Sequence, residues 1–550
     1  MLTKYLPFIL FLLTTSLQAQ QTVGLFLNDS LAYNGYTLVA SNSAKSTYLI
    51  DNCGRVINTW TSDYIPYFSA YLTPEGNLLR TARVTNPFGG ATEMYDWDGN
   101  LIWTYNFSGD GFSQHHDIEL LPNGNILVLA WESFDVQSVI EAGRNADLVN
   151  EELHPEFIVE LQPIGADSAR IVWEWHVFDH LVQDHDPMKS NYGKPADHPE
   201  LIDFNYIGIG GPFEDWLHAN HINYNPQLDQ IMISVRNFNE LWVIDHSTTT
   251  EEAAGHTGGK YGKGGDLLYR WGNPITYRRG TDADKIFYDQ HNAHWIPEGY
   301  PGEGNIMVFN NGRGRMPVEF SSVDVIVPPV DAMGNYTLPS SDLPYLPTDL
   351  LSSYTATPPS SMLSLRISSA QRLPNGNTLI CVGQSGRLFE IDEMGNVHWD
   401  YITPLRGNNP VTQGDIASGN TVFSALRYST DFEGFVGKDL TPGAPIELDP
   451  LPSDCEITTD IHTAFAEYGI TAHPNPANDQ IRIMYDLNGK AIPIQLELYD
   501  YQGRFLLKKD LPIGSDETII KCSDLPSGIY FYLLRTSTQM SEAKKFVIYH

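Results

Sequence analysis

The sequence predicts an all-β protein: a six-bladed β-propeller followed by a small C-terminal β-sandwich. Three observations lead there. A turn-and-strand phrase recurs six times, a second phrase that ends in an aromatic residue alternates with it, and both stop near Pro450. Beyond that point a linker, 451–469, leads into a separate β segment, 470–550.

The first phrase is clearest at Thr73-Pro74-Glu75-Gly76-Asn77-Leu78-Leu79, Leu121-Pro122-Asn123-Gly124-Asn125-Ile126-Leu127 and Leu373-Pro374-Asn375-Gly376-Asn377-Thr378-Leu379. It returns at Gly302–Met307, and in weaker form at Asn225–Met232 and Ser418–Val422. Each copy reads as a Pro/Gly/Asn turn feeding an apolar strand. The second phrase includes Gly54–Trp60, Gly99–Tyr105, Ala169–Trp175, Gly265–Trp271 and Gly395–Tyr401. It is a turn followed by a period-2 strand. Repeated short sheets of this kind arrange themselves about an axis, which places the propeller at 23–450. The largest insertion, roughly Phe134 to Asp215, is expected on the rim of the funnel.

Lys4, the short apolar run Tyr5–Leu13 and Leu17-Gln18-Ala19 read as a signal peptide over 1–19. No later stretch reaches the roughly 18 apolar residues of a transmembrane helix. A net charge of −34 argues against nucleic acid or an anionic membrane as partner. An acidic chain that binds an anion must gather positive charge locally, so its Arg and His positions carry information. The cysteines Cys53, Cys381, Cys455 and Cys522 are far apart and form no CxxC pair, so neither a zinc knuckle nor a disulfide pairing is assigned.

Histidines stand where blade-entry segments ordinarily hold small or apolar residues. Gln114-His115-His116-Asp117 precedes Pro122, Asp215-Trp216-Leu217-His218-Ala219-Asn220 precedes Pro226, and Asp289-Gln290-His291-Asn292-Ala293-His294 precedes Pro297. His116 and His291 lie the same distance ahead of their prolines, which predicts equivalent positions facing one axis. Arg236 ends the strand after His218, and Asn310-Asn311-Gly312-Arg313-Gly314-Arg315 ends the strand after His291. Convergent His, Arg and Asn with no carboxylate cluster make an oxyanion cradle.

These segments, with SSAQRLPNGNTLI and the FSALRYS run from Phe423 to Ser429, resemble the bacterial aryl-sulfate sulfotransferase family over nearly all of Asp51 to Pro450. The resemblance implies a ping-pong reaction. A phenolic sulfate ester gives its sulfuryl group to a histidine, and the sulfohistidine passes it to a second phenol, with no cofactor and no phosphoadenosyl phosphosulfate. It implies His291 as the nucleophile, with His218, His116 and Arg236 as further catalytic residues. Asn220, His115, Tyr428 and Arg315 are the implied substrate-binding residues, and which of His115 and His116 belongs to the active site stays open, with His116 preferred. The best-known members carry an additional N-terminal β-domain and a cysteine pair near the nucleophile's blade. This chain enters its propeller soon after the signal and has no cysteine between Cys53 and Cys381.

The C-terminal segment carries His473-Pro474-Asn475-Pro476, Leu525-Pro526-Ser527-Gly528-Ile529-Tyr530 and a closing Lys544–Ile548. It resembles the sorting domain of the type IX secretion system. That implies secretion machinery as a partner and export through the periplasm to the medium or the cell surface.

His176 and His180 have the i, i+4 spacing of a helical metal pair, with His185, His198, Asp184 and Asp186 nearby. The preferred reading is a solvated rim insertion with capping histidines, and no metal site is assigned. Gly258–Gly265 lacks the P-loop form and reads as a flexible loop. The rival functions are a quinone-dependent dehydrogenase-like propeller, which needs a carboxylate metal site, and a non-catalytic ligand-binding propeller.

Overall fold

The computed structural model describes residues 21–84, 90–209, 211, 214–338, 340, 343–451, 455, 470–485, 494–500, 505–512, 516–523, 525–535 and 544–550. The signal-peptide reading and nearly all of the 451–469 linker fall outside them. The fold is all-β, with 43% strand against 7% helix. The chain divides into two compact units, Met1–Cys455 and Glu456–His550.

The first unit holds six antiparallel sheets of four or five strands. The first comprises Val422–Ser429, Gly35–Ser41, Ser46–Ile50 and Val56–Thr61; the second runs from Ala70–Leu72 to Leu101–Asn106. The third is built on Phe112–Leu120, Ile126–Glu132, Glu156–Ile164 and Ser168–His176. The fourth opens on Ala219–Asn225, the fifth on His291–Trp295 and the sixth on Ser369–Arg372.

The recurring phrases fold as read. In five copies the first makes the turn between the opening strand of a sheet and the next: Leu121 N–H donates to Asn125 O at 2.9 Å, and Gly124 takes φ 83°, which only glycine adopts without cost; the copy at Ser418–Val422 instead leads into the opening strand Val422–Ser429. The second makes the outer turn, as at Asp96–Asn100.

Apolar faces of neighbouring sheets meet in six buried clusters. Leu38 and Trp60 meet Leu72 and Tyr95; Leu79 and Trp103 meet Ile118 and Val128; Ile158 and Trp175 meet Ile222 and Trp242. Val243 meets Val308, Phe309 meets Ile380, and Leu388 meets Val39 of the first sheet again. The order of packing therefore closes on itself. Burial of each such side chain is worth roughly 1.5–3 kcal/mol.

A tryptophan at the end of the second phrase, or two residues before it, has a specific use. Trp60 Nε1 donates to Asp96 O (2.8 Å), Trp103 to Ser168 O (2.9 Å), Trp175 to Gly265 O (2.7 Å) and Trp271 to Pro347 O (2.8 Å), each toward the following sheet. Trp399 of the sixth sheet donates to Asn52 O at 2.8 Å, in the turn of the first. The closure is reinforced by strand exchange: Val422–Ser429 pairs with Gly35–Ser41, and Gly24–Asn28 pairs with Val397–Ile402. Arg427 and Glu390, both fully buried, pair across the same seam.

Two sequence expectations change. Cys53 and Cys455 form a disulfide across 402 residues, with Cα atoms 5.7 Å apart, because the chain returns to its first sheet; Cys381 and Cys522 stay free and buried. The stretch 134–215 is not one insertion, since Glu156–Ile164 and Ser168–His176 are strands of the third sheet. The inserted pieces are a short connection with helix Val136–Glu141 and the segment after His176.

The second unit has a three-stranded sheet, Ile470–His473, Gln480–Tyr485 and Glu517–Lys521, and a four-stranded sheet with Ile494–Asp500 and Gly528–Arg535 at its centre. Ile481, Ile483, Leu496, Leu498, Tyr532 and Phe546 from both sheets share one buried cluster.

Trp399→Phe keeps an aromatic ring but orphans the Asn52 carbonyl. It is expected to lower the unfolding free energy by about 1–3 kcal/mol in urea titration; an unchanged midpoint contradicts the role given to this bond.

Candidate functional site

Three opening strands lose their register at the same level. The irregularities fall between Gln114 and Ile118, between Ala219 and His221, and between His291 and His294. Bulges of this kind re-aim side chains. Here His116 and His218 each take φ 51°, a left-handed conformation uncommon outside glycine. The result is one cluster. The His116 and His218 rings lie 4.8 Å apart, and Phe423 packs against both His116 (6.1 Å) and His291 (6.2 Å). Phe68 stacks on His116 at 4.8 Å.

The hydrogen bonds of His291 fix its tautomer. Nδ1–H donates to Asn311 Oδ1 (2.8 Å) and Asp289 O (3.0 Å), while Nε2 accepts the backbone N–H of Ile367 at 3.1 Å. Asn311 is held in turn, because its Nδ2 donates to the carbonyls of Ser364 and Ile367, both at 2.7 Å. The single Nε2 lone pair is therefore occupied by the Ile367 amide. Burial first, and then the Arg236 charge, push the His291 pKa down to about 3. Burial and His218 likewise bring His115 to about 3, and burial with the surrounding imidazoles and Arg236 holds His116 well below its usual value.

Carboxylates are present, which corrects the expectation that the cradle lacks them. His218 Nδ1 bonds Asp215 Oδ2 at 2.5 Å, and Arg236 Nη2 donates to Asp289 Oδ2 at 2.7 Å. Burial raises Asp215, but His218 and the neighbouring cations outweigh it and leave the carboxyl below its usual range. Asp289 goes the other way, with burial exceeding the pull of Arg236. Both aspartates stand in the quoted segments, and their pairing is the part that spacing alone does not show.

The structure brings His116, His218, His291 and Arg236 together. His115 sits behind His116, with the two Nδ1 atoms 2.7 Å apart. Asn220 is buried and donates from Nδ2 to Gln290 O at 2.8 Å, so it braces the strand that carries His291. Two residues do not join the cluster. Tyr428 accepts the Leu72 N–H at its hydroxyl (2.8 Å) and packs on Phe432, so it is a strut between the first and second sheets. Arg315 donates to Phe320 O (3.1 Å) and lies over the Phe320 ring; it is Arg313 that approaches Asp289, at 3.6 Å. Phe68 gave no signal in the sequence, because it stands in a bend outside the repeated phrases, and Phe423 lay unremarked inside its motif. Asn311 lay unremarked inside its motif.

Residues 18–322, more than half of the 550, match the family described as Arylsulfotransferase (ASST), and the chain belongs to that family of sulfotransferases. Residues 471–549 match the secretion system C-terminal sorting domain of the type IX system. That tail marks the chain for export to the cell surface or the medium. Among the described residues no helix is long and apolar enough to cross a membrane. No curated protein matches the chain. Similar solved structures include a protein of unknown function from Bacteroides caccae, with TM-score 0.37, 13% identity and coverage of 67% of this chain and 93% of that one. Hydrazine synthase of Kuenenia stuttgartiensis gives TM-score 0.32 and 14% identity over 54% of this chain and 69% of that one. A streptogramin B lyase gives 0.33 and 11% over 71% and 86%.

His291 and His115 are neutral when folded and take a proton near pH 6.5 when unfolded. Their contribution to stability is complete above about pH 6.5 and is lost as pH falls toward about 3, by up to about 1.4 kcal/mol per pH unit for each histidine. Urea unfolding at pH 7 and pH 5 is expected to show a shallower loss, by up to about one proton, in His291→Asn. Parallel losses in the two proteins contradict the assignment.

Proposed function

We propose that the six mutually packed sheets are the blades of a six-bladed β-propeller and that the imidazole cluster is the active site of an aryl-sulfate sulfotransferase. In this reading 23–450 is the catalytic domain, and 470–550, with seven strands among its described residues, forms the sorting β-sandwich. The observation that carries the activity is the state of His291 beside two imidazoles and a guanidinium: neutral, with the proton on Nδ1 and the Nε2 lone pair held by the Ile367 N–H, which it must leave in order to attack.

The chemistry follows from those groups. Nε2 of His291 attacks the sulfur of a phenolic sulfate ester; an N–S bond forms and the S–O bond to the phenol breaks. The leaving phenolate takes a proton from His218, which Asp215 equips for that task by stabilising the imidazolium. His116 suits the role of acid less well, since its surroundings disfavour the charged form. In the second half the neutral His218 removes the proton of the acceptor phenol, its oxygen attacks sulfur and the N–S bond breaks. Arg236 and the Ile367 N–H serve the sulfuryl oxygens, the latter once Nε2 has bonded to sulfur. Asn311 keeps the imidazole in the attacking tautomer. Phe68 and Phe423 offer aromatic walls against which both phenols stack.

Turnover of p-nitrophenyl sulfate with phenol as acceptor tests this. His291→Asn is expected to fall to the uncatalysed rate, and retained turnover in that variant overturns the reading. Arg236→Met is expected to lower kcat/KM by about 10²–10³-fold. Asn311→Leu is expected to lower kcat more than it raises KM, because it disturbs orientation and not binding; a change confined to KM contradicts the role given to Asn311.

A further inference from the structure

The segment after the third sheet holds a second histidine cluster that the transfer reaction does not use. The i, i+4 spacing of His176 and His180 does not give the two rings a common partner. His176 ends a strand and bonds Glu132 and Glu174, while His180 follows a 3-10 turn and faces Asp266 and His256. Gly258–Gly265 is a loop of turns and bends. Gly264 N–H donates to Gly258 O (3.1 Å) and Gly265 N–H to Gly255 O (3.0 Å), which brings Asp266 under the two imidazoles.

The bonding of His180 is the informative feature. Its Nε2 lies 2.8 Å from the carbonyl of Ala253, which can only accept, so Nε2 carries a proton. A neutral imidazole then has a bare lone pair on Nδ1. That lone pair points at Asp266 Oδ1, 2.9 Å away, where two acceptors repel unless a cation or a proton lies between them. The same carboxylate oxygen faces His256 Nδ1 at 2.7 Å. The three ligand atoms lie within 4.8 Å of one another.

His180 is fully buried against Trp175, whose indole is stacked on it at 5.5 Å and 6°. Gly265 permits the close approach, since a Cβ there would stand 2.6 Å from His180 Nε2 and 2.0 Å from Ala253 O. A ring N–H on a backbone carbonyl, with the other nitrogen turned toward a carboxylate, is the outer support a metal-bound histidine has. His256 is exposed and opens onto a cleft that Asp179 and His198 also line.

We propose that His180 Nδ1, His256 Nδ1 and Asp266 form a zinc site that clamps the segment after the third sheet to the loop preceding Tyr269–Trp271. Two imidazoles and one carboxylate are ligands zinc accepts in tetrahedral geometry, and the exposed side leaves the fourth position to water. The competing arrangement is an imidazolium of His180 paired with Asp266 and no metal.

The test uses the full chain, stripped with EDTA and dialysed, then titrated with Zn²⁺ and with Co²⁺. The expected result is about one tightly held zinc per chain by elemental analysis, and the intense visible bands of four-coordinate cobalt. His256→Ala, at an exposed position, and Asp266→Asn are each expected to weaken binding by at least about tenfold, while His185→Ala leaves it unchanged. No zinc retained above the stripped baseline, or wild-type affinity in both ligand variants, overturns the proposal.

Discussion

The return of the chain to its own beginning is the constraint on which the rest depends. Val422–Ser429 lies beside Gly35–Ser41, Gly24–Asn28 completes the sixth sheet, and Cys455 is bonded to Cys53. Each of these joins residues about 370 or more positions apart, so each carries a loop-closure cost that only the accumulated apolar contacts between sheets offset. The cost brings a specific return. The closing strand begins at Val422, and its second residue, Phe423, is the one that touches both His116 and His291. Closure and the wall of the site are thus the same event.

The electrostatic problem of an acidic protein handling an anion is met locally. With a net charge of −34 the chain as a whole repels sulfate esters. Within the cluster, burial keeps His115, His116 and His291 uncharged, so they neither repel Arg236 nor lose their lone pairs to protons. Asp215 holds the His218 ring in place and Asp289 the Arg236 guanidinium. The Arg236 guanidinium thus stands beside uncharged imidazoles.

Much of this was legible in the residues. The Pro-Asn-Gly-Asn phrases and the tryptophans of the second phrase encode local turns and one inter-sheet bond each, and local signals survive in a linear text. The convergence of His116, His218 and His291 was legible because each precedes a recognisable turn. What failed was contact between sequence-distant side chains. Tyr428 reads as a pocket residue until its hydroxyl is seen to meet the Leu72 amide, and Arg315 is indistinguishable from Arg313 until one of them reaches Asp289. The Cys53–Cys455 bond follows from closure, which spacing cannot express. The His176–His180 spacing was read on a helical ruler, whereas that segment is a strand followed by a 3-10 turn.

The central claim is that the Nε2 atom of His291 takes the sulfuryl group. The most direct measurement is peptide mass analysis after brief exposure to p-nitrophenyl sulfate without acceptor, with the sample kept from acid. The account predicts a gain of about 80 Da on the peptide containing His291, discharged when phenol is added. An unmodified His291 peptide while p-nitrophenol is released, or the same gain on a different residue, contradicts it.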